Sequence, residues 1–256
     1  MIKSFFLNVM KQIGLHERVI LFNLRLKDKI GINSARFNYL IEFYRAFLKP
    51  GDLVFDIGAN MGNRSFVFLK LGASVIAAEP NQKLYENLKF RFGEKLNVLN
   101  IGLGEVISKM DFFIGSNHLV SSFSNEYIDH KTRLHPNLTY QKKVSVEVRT
   151  LDSLIAEYGI PSFIKIDVEG FEKQVIKGLT KKANLISFEL NTPRFNTDAI
   201  ESLAHLRRLG YSKCNYSFYE NNKLEHDSWI GVEQLMDEIR NKKEFQSAAY
   251  LDIYIQ

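Results

Sequence analysis

Carboxylates stand where several apolar runs of this chain end, and each has a glycine or asparagine close behind it. In Leu53-Val54-Phe55-Asp56-Ile57-Gly58-Ala59-Asn60-Met61-Gly62, an acid sits inside an apolar run that breaks into two glycines bracketing an asparagine. Glu79 closes the next apolar run, and Asp167 and Glu169 close a later one. Such a run, bounded by glycine, reads as a buried parallel strand turning into a tight loop. Glycine there permits positive φ, and its missing Cβ lets a ligand lie against the backbone. A carboxylate at the end of the following strand can accept hydrogen bonds from both hydroxyls of a ribose. The arrangement predicts a nucleotide-type cofactor held outside the carboxyl ends of the strands.

The glycine spacing separates the candidate cofactors. A G-x-G-x-x-G loop is absent, since Ala59 and Asn60 follow Gly58 and Gly62 stands four residues beyond it. No G-x-x-x-x-G-K-[ST] run occurs either. An Asp-x-Gly-x-Asn-x-Gly loop has no pyrophosphate cradle. It suits an adenosine ligand carrying an amino acid and argues against a nicotinamide-dependent oxidoreductase.

These loops need a frame. After Pro50-Gly51 strands are expected at 53–57, 74–79, 97–101, 163–167 and 185–190, and helices at 63–71, 82–92, 151–158, 172–179 and 198–209. That alternation specifies an α/β fold, a mostly parallel sheet with helices on both faces. Residues 111–114 and 144–150 read as extra strands, with Val144, Val146 and Val148 alternating against Ser145, Glu147 and Arg149. The polar stretch 115–143 between them reads as an irregular binding loop or lid. Residues 211–256 read as strand, polar turn at Asn221-Asn222, helix and strand, a hairpin closing the edge of the sheet. Upstream, 38–48 reads as a helix, and apolar residues from Phe5 to Leu26 as one or two amphipathic helices. The chain thus divides into an N-terminal basic helical extension, 1–49, and a ligand-binding domain, 50–256, with an insertion at 111–150.

The 256 residues suffice for one such domain, and 45% hydrophobic with 25% charged residues is an ordinary soluble composition. No apolar run is long enough to span a membrane and no signal-cleavage pattern opens the chain, so a cytoplasmic address is expected. Cys214 is the single cysteine and can form no internal disulfide. The net charge of +5 is uneven: nine bases against three acids precede Pro50, a balance of +6, and the rest nets −1. Such an arm could lie on an anionic membrane surface, grip an acidic partner, or cap the domain with its lysines in water. No nucleic-acid-binding motif accompanies it, so no nucleic acid partner is expected.

Three segments together resemble the FkbM family of S-adenosylmethionine-dependent methyltransferases: residues 54–62 as quoted above, Ala78-Glu79-Pro80-Asn81, and Ile164-Lys165-Ile166-Asp167-Val168-Glu169-Gly170-Phe171-Glu172. Ser187-Phe188-Glu189-Leu190 resembles the family's next strand, so the resemblance runs from Pro50 to Asn191. It implies a Rossmann-like class I methyltransferase fold, a seven-stranded sheet whose last strand is antiparallel, and S-adenosylmethionine as cofactor. Asp56, Gly58, Asn60 and Gly62 would surround the methionine part, Glu79 would hold the ribose, and Asn81 would cover the adenosine side. Gly102 would lie by the adenine, although Ile101-Gly102-Leu103-Gly104-Glu105 lacks the Ser-Asp pair expected of the family.

The implied reaction is O-methylation of a sugar, glycan or natural-product precursor with a free hydroxyl. Asp167, then Glu169, are the candidates for base or cofactor orienter, because an alcohol nucleophile must lose its proton. Either could instead cap the helix starting near Gly170. The pair could also hold a divalent cation such as Mg²⁺, with water completing the shell. In the insertion, His118 is a candidate base of near-neutral pKa or simply a loop residue, near Asn117, Ser121, Ser122 and Ser124. His130, His135, His205 and His226 have no metal-ligand spacing, and Trp229 could stack on a sugar or pack in the core. The rival reading is a non-catalytic methyltransferase-fold module that binds partners through its basic arm. Oligomeric state is open.

Overall fold

The computed structural model describes residues 15–29, 37–116, 120–191, 194–221 and 223–256. The expectations for Phe5 to Ile13, Asn117, His118 and Asn222 lie outside the described residues. In chain order, α1 (Leu15–Lys29) and α2 (Asn38–Arg45) precede β1 (Leu53–Ile57), α3 (Asn63–Lys70), β2 (Ser74–Ala78), α4 (Gln82–Phe92) and β3 (Asn97–Leu99). Then come β4 (Gly102–Leu103), β5 (Ser108–Gly115), α5 (Asn125–Leu134), β6 (Tyr140–Arg149), α6 (Leu151–Tyr158), β7 (Phe163–Ile166) and α7 (Glu172–Lys177). The chain ends with β8 (Leu185–Asn191), α8 (Asn196–Arg208), β9 (Lys213–Phe218), β10 (Ile230–Gly231), α9 (Val232–Asn241), α10 (Glu244–Ser247) and β11 (Tyr250–Ile255).

The main sheet has the order β3-β2-β1-β7-β8-β11-β9-β10. β3, β2, β1, β7 and β8 run parallel, and β11 is antiparallel to both β8 and β9. This is the Rossmann-like arrangement that the resemblance implies, a mostly parallel sheet whose last strand is antiparallel, with the two-residue β10 added to one edge. The expected hairpin is present, β9 pairing antiparallel with β11 on that side of the sheet, and the C-terminal strand is its inner member, lying between β8 and β9 where its backbone pairs on both sides. Leu251, Ile253, Tyr254 and Ile255 are all buried, and so apolar a strand would be poorly placed at an open edge.

Alternation along the strands divides the core into two layers. Phe55, Ile57, Ile164, Ile166, Ile186 and Phe188 face α6, α7, α8 and α9. Val54, Phe163, Leu185 and Tyr254 face the other way, toward α2, α3 and α4. The N-terminal extension contributes to that second layer, since Leu40, Ile41 and Tyr44 of α2 are buried in it. Among the described residues no helix is long and apolar enough to cross a membrane.

The insertion is more ordered than expected. β4, β6 and β5 form a small separate sheet, β5 and β6 being longer than the expected strands. The stretch between them contains α5, started by Ser124, whose hydroxyl accepts the Tyr127 N–H. The strand expected at 97–101 also divides. β3 stops at Leu99, and Asn100 donates to the carbonyls of Glu79 (2.9 Å) and Pro80 (3.2 Å) as the chain turns into β4.

Candidate active site

β1 ends in a loop that tolerates no side chain at Gly58. Its φ is +84°, and a Cβ there would lie 1.8 Å from the Asp167 carbonyl oxygen, so the ends of β1 and β7 meet backbone to backbone. Gly58→Ala is therefore expected to weaken S-adenosylmethionine binding by at least tenfold, since a misplaced loop loses its hydrogen bonds; titration calorimetry reads it. Asn60 follows at φ +52°, a conformation that non-glycine residues adopt at a cost. Its N–H donates to Glu79 Oε2 at 2.8 Å, and the Asn81 N–H donates to Oε1 at 2.9 Å. Both oxygens of Glu79 are thus fixed in place. Burial pushes this carboxyl up to about 7, against the two backbone bonds that favour its anion.

Asp56, Gly62 and Asn81 do not line the cavity beside this loop. Asp56 points into the α2–α4 layer, as its alternation with Phe55 and Ile57 requires, and accepts the Ser65 hydroxyl at 2.5 Å. Its strand neighbour is Lys165, whose ammonium reaches Asp167 Oδ2 at 2.8 Å. Burial works against the charge on Lys165, but Asp167 and Asp252 outweigh it and hold its pKa up. Removing one member of a buried charge set leaves the others uncompensated, so Lys165→Met is expected to cost about 3 kcal/mol in denaturant unfolding. Gly62 (φ +75°) begins α3 and packs against Leu88 and Phe92 of α4. Asn81 caps α4, accepting the Lys83 N–H. All three shape the loop from behind.

The turn after β7 carries the second strained residue, Glu169 at φ +55°. Neither Asp167 nor Glu169 caps α7; its N-cap is Phe171, with no side-chain cap. Glu172 does the tying, its Oε1 accepting N–H bonds from Val168 (2.9 Å) and Gly170 (3.3 Å). From the insertion, Ser122 Oγ donates to the Glu169 carbonyl at 2.7 Å and the Tyr127 hydroxyl donates to Glu169 Oε2. Gly170 lies flush against Tyr127, where a Cβ would come within 2.7 Å of the ring system. Burial, reinforced by the Asp167 charge, pushes Glu169 up to about 8, and the Tyr127 bond pulls it back. Burial raises Glu189 well above its usual range, with Asp167 and Glu169 adding to it. Glu189 Oε1 accepts from Asn191 Nδ2 at 2.9 Å.

Between these two clamped turns lies a cavity of about 650 Å³. Gly58, Asn60, Glu79, Pro80, Ile101 and Gly102 line one end, and Tyr127, Lys131, His135, Glu169, Glu189 and Asn191 line the other, with Asp167 also on the wall. Gly102 has a further reason to be glycine, since a Cβ there would lie 2.5 Å from the Phe123 ring. Of the expected residues, Gly58, Asn60, Glu79, Gly102, Asp167 and Glu169 come together. His118 lies outside the described residues, and Trp229 packs near Phe47 away from the cavity. Among the described residues no group of three or more His, Cys, Asp or Glu side chains is placed to hold a metal ion. Tyr127, Glu172 and Glu189 were not singled out by sequence. Glu172 and Glu189 do stand within quoted motifs, whereas nothing around Tyr127 marks it.

Glu79, Glu169 and Glu172 share a consequence. Burial raises all three, Glu172 to about 7, so the ligand-free fold binds protons that the unfolded chain releases above its ordinary carboxyl pKa of 4.5. Their stabilising contribution is complete below 4.5 and is lost as pH rises through about 7 to 8. The melting temperature of ligand-free protein is expected to fall over that interval, and Glu172→Gln to remove part of the fall.

A family model described as the Methyltransferase FkbM domain matches residues 56–218. A search of curated proteins finds no match. Among solved structures, a TehB-like SAM-dependent methyltransferase from Corynebacterium glutamicum is 12% identical with a TM-score of 0.44, over 91% of this chain and 97% of that one. The precorrin-6y C5,15-methyltransferase of Geobacter metallireducens is 15% identical, with a TM-score of 0.40 and coverage of 85% and 84%. A SAM-dependent methyltransferase from Archaeoglobus fulgidus is 16% identical, with a TM-score of 0.41 and coverage of 87% and 91%.

Proposed function

We propose, from the premise that this chain belongs to the FkbM methyltransferase domain family and is an S-adenosylmethionine-dependent methyltransferase, that its acceptor is an alcohol on a sugar, glycan or natural-product precursor. The cofactor, when bound, supplies a methyl group on a sulfonium, ready for attack. The cavity end at Gly58 fits it: a backbone loop closed to side chains, a carboxylate held by two N–H groups, and an apolar slot at Pro80, Leu84, Ile101 and Leu103. Glu79 would take the ribose hydroxyls, Gly58 and Asn60 the methionine end, and the slot the base.

The observation that carries the acceptor class is Glu169. An alcohol becomes a competent nucleophile only as its proton leaves, and a carboxylate of raised pKa near the working pH is suited to receive it. Glu169 is pushed up to about 8, is held at a strained φ, and is fixed by Tyr127 at the end of the cavity beyond the loop. Lys131, Glu189 and Asn191 add donors and acceptors nearby, which suits an acceptor with several hydroxyls. Asp167, tied to Lys165, orients rather than accepts the proton. A cytoplasmic setting is part of the same proposal. The test is incubation with S-adenosylmethionine and a panel of sugars, nucleotide sugars and polyols, with the methylated atom located by NMR. Methyl ethers are expected; N- or C-methyl products, or none from an enzyme that binds cofactor, would overturn the alcohol assignment.

A further inference from the structure

Helix α1 has two opposed apolar faces, and the domain uses only one. Leu21 is buried against the domain, and about two turns further on Asp28 bonds Arg91 Nε at 2.8 Å. At about 100° per residue, Val19, Phe22 and Leu26 fall within an arc of about 60° on the opposite side. They are 40%, 60% and 44% exposed. Phe90 of α4, 42% exposed, extends the patch, with the Arg25 guanidinium 5.5 Å above its ring. Ten large apolar side chains are this exposed among the described residues, and four of them gather here, which is too many for chance scatter.

The surroundings of this patch are cationic. Beside it opens a cleft of about 230 Å³ whose polar lining is Arg25, Asp28, Lys70, Arg91 and Lys95. Asp28 is the one acid, and it is spent on Arg91, which also donates to the Met61 carbonyl at 2.6 Å. Among the described residues Arg25, Lys70 and Lys95 have no carboxylate in ion-pair contact. Lys27 flanks the apolar stripe on its other side, and the whole segment before Pro50 carries +6 against −1 for the remainder. An apolar stripe with aromatic centre and basic flanks is the build of a helix lying in a membrane interface.

We propose that α1 and the neighbouring cleft form a docking face for an anionic lipid bilayer. Phe22 and Leu26 enter the interface, while Arg25, Lys70 and Lys95 receive headgroup phosphates. Surface attachment of this kind needs no membrane-crossing helix. It is independent of which acceptor is methylated.

The experiment is co-sedimentation of the full chain with phosphatidylcholine vesicles and with equimolar phosphatidylcholine–phosphatidylglycerol vesicles, at low and high salt. Wild type is expected to pellet with the anionic vesicles and to be released by salt. Phe22→Asp and the pair Lys70→Gln with Lys95→Gln should each weaken pelleting by roughly tenfold or more, about fivefold per lost cation. Both variants change exposed side chains, and unchanged melting and S-adenosylmethionine binding would show that they fold. Equal pelleting with both vesicle types, or none, overturns the proposal. So does a dimer in sedimentation equilibrium that Phe22→Asp dissolves, since the stripe would then belong to a second copy.

Discussion

Glu169→Gln is expected to leave S-adenosylmethionine binding within about twofold and to lower kcat by about a thousandfold, the usual worth of a positioned base. Glutamine keeps the shape of the side chain and can still accept the Tyr127 hydroxyl, so the turn should survive. What it loses is the capacity to take a proton. Wild-type kcat/KM is expected to rise with pH through about 8, where Glu169 ionises, and the variant should lose that limb. Tyr127→Phe provides the complementary test. The Tyr127 bond favours the anion of Glu169, so its removal should move the limb to higher pH, lowering activity at neutrality and restoring it in alkali. A merely structural tyrosine would lower the rate at every pH. Retention of more than a tenth of activity in Glu169→Gln, with an unchanged limb, would pass the role of base to Asp167 or Glu189.

The second large effect is on the cofactor itself. Glu79→Ala should weaken S-adenosylmethionine by a hundredfold or more, since two charge-assisted hydrogen bonds are worth about 3 kcal/mol or above. The same substitution leaves the N–H groups of Asn60 and Asn81 without their carboxylate, so the loop loses its brace together with its ligand contact. Ribose hydroxyls donate to the anion, and burial pushes the Glu79 carboxyl up to about 7. Cofactor affinity of the wild type should therefore fall as pH drops below about 7, opposite in sign to the stability trend. Titration calorimetry across that interval checks both statements. A Kd within threefold of wild type in Glu79→Ala would remove the ribose assignment.

Much of the loop geometry around Gly58 and Glu79 was legible in the sequence, because backbone needs dictate residue type there. Gly58 must be glycine when Asp167 O stands where a Cβ would go, and Glu79 must be an acid to receive two N–H groups. The sheet was legible for the same reason: parallel strands buried on both faces leave unbroken apolar runs. The facing of Asp56 was not legible, because position along a motif says nothing of it; period two turns the side chain off the cavity wall and toward Ser65. The acceptor end was far less legible. Tyr127 reaches Glu169 across 42 residues, and nothing local to α5 announces that meeting. The place of β11 likewise depends on what pairs with it on either side, a property no single strand displays.

The cavity is built from two parts with different histories open to them. The end at Glu79 belongs to the main sheet, and the opposite end is shared between the insertion, which supplies Tyr127, Lys131 and His135 and touches the Glu169 turn through Ser122, Tyr127 and the flush contact at Gly170, and the main sheet, which supplies Glu169, Glu189 and Asn191. Further contacts join the insertion to the main domain, with Phe123 against Phe171, Tyr127 and His130 against Phe195, Glu126 paired with Arg194 and Lys131 bonded to Asn191, so an exchange of the insertion must carry these partners with it. A lineage that keeps these contacts can rewrite the remaining surface of α5, β5 and β6 without disturbing the turn at Glu169. The same seam tells an engineer where to cut when grafting one specificity onto another.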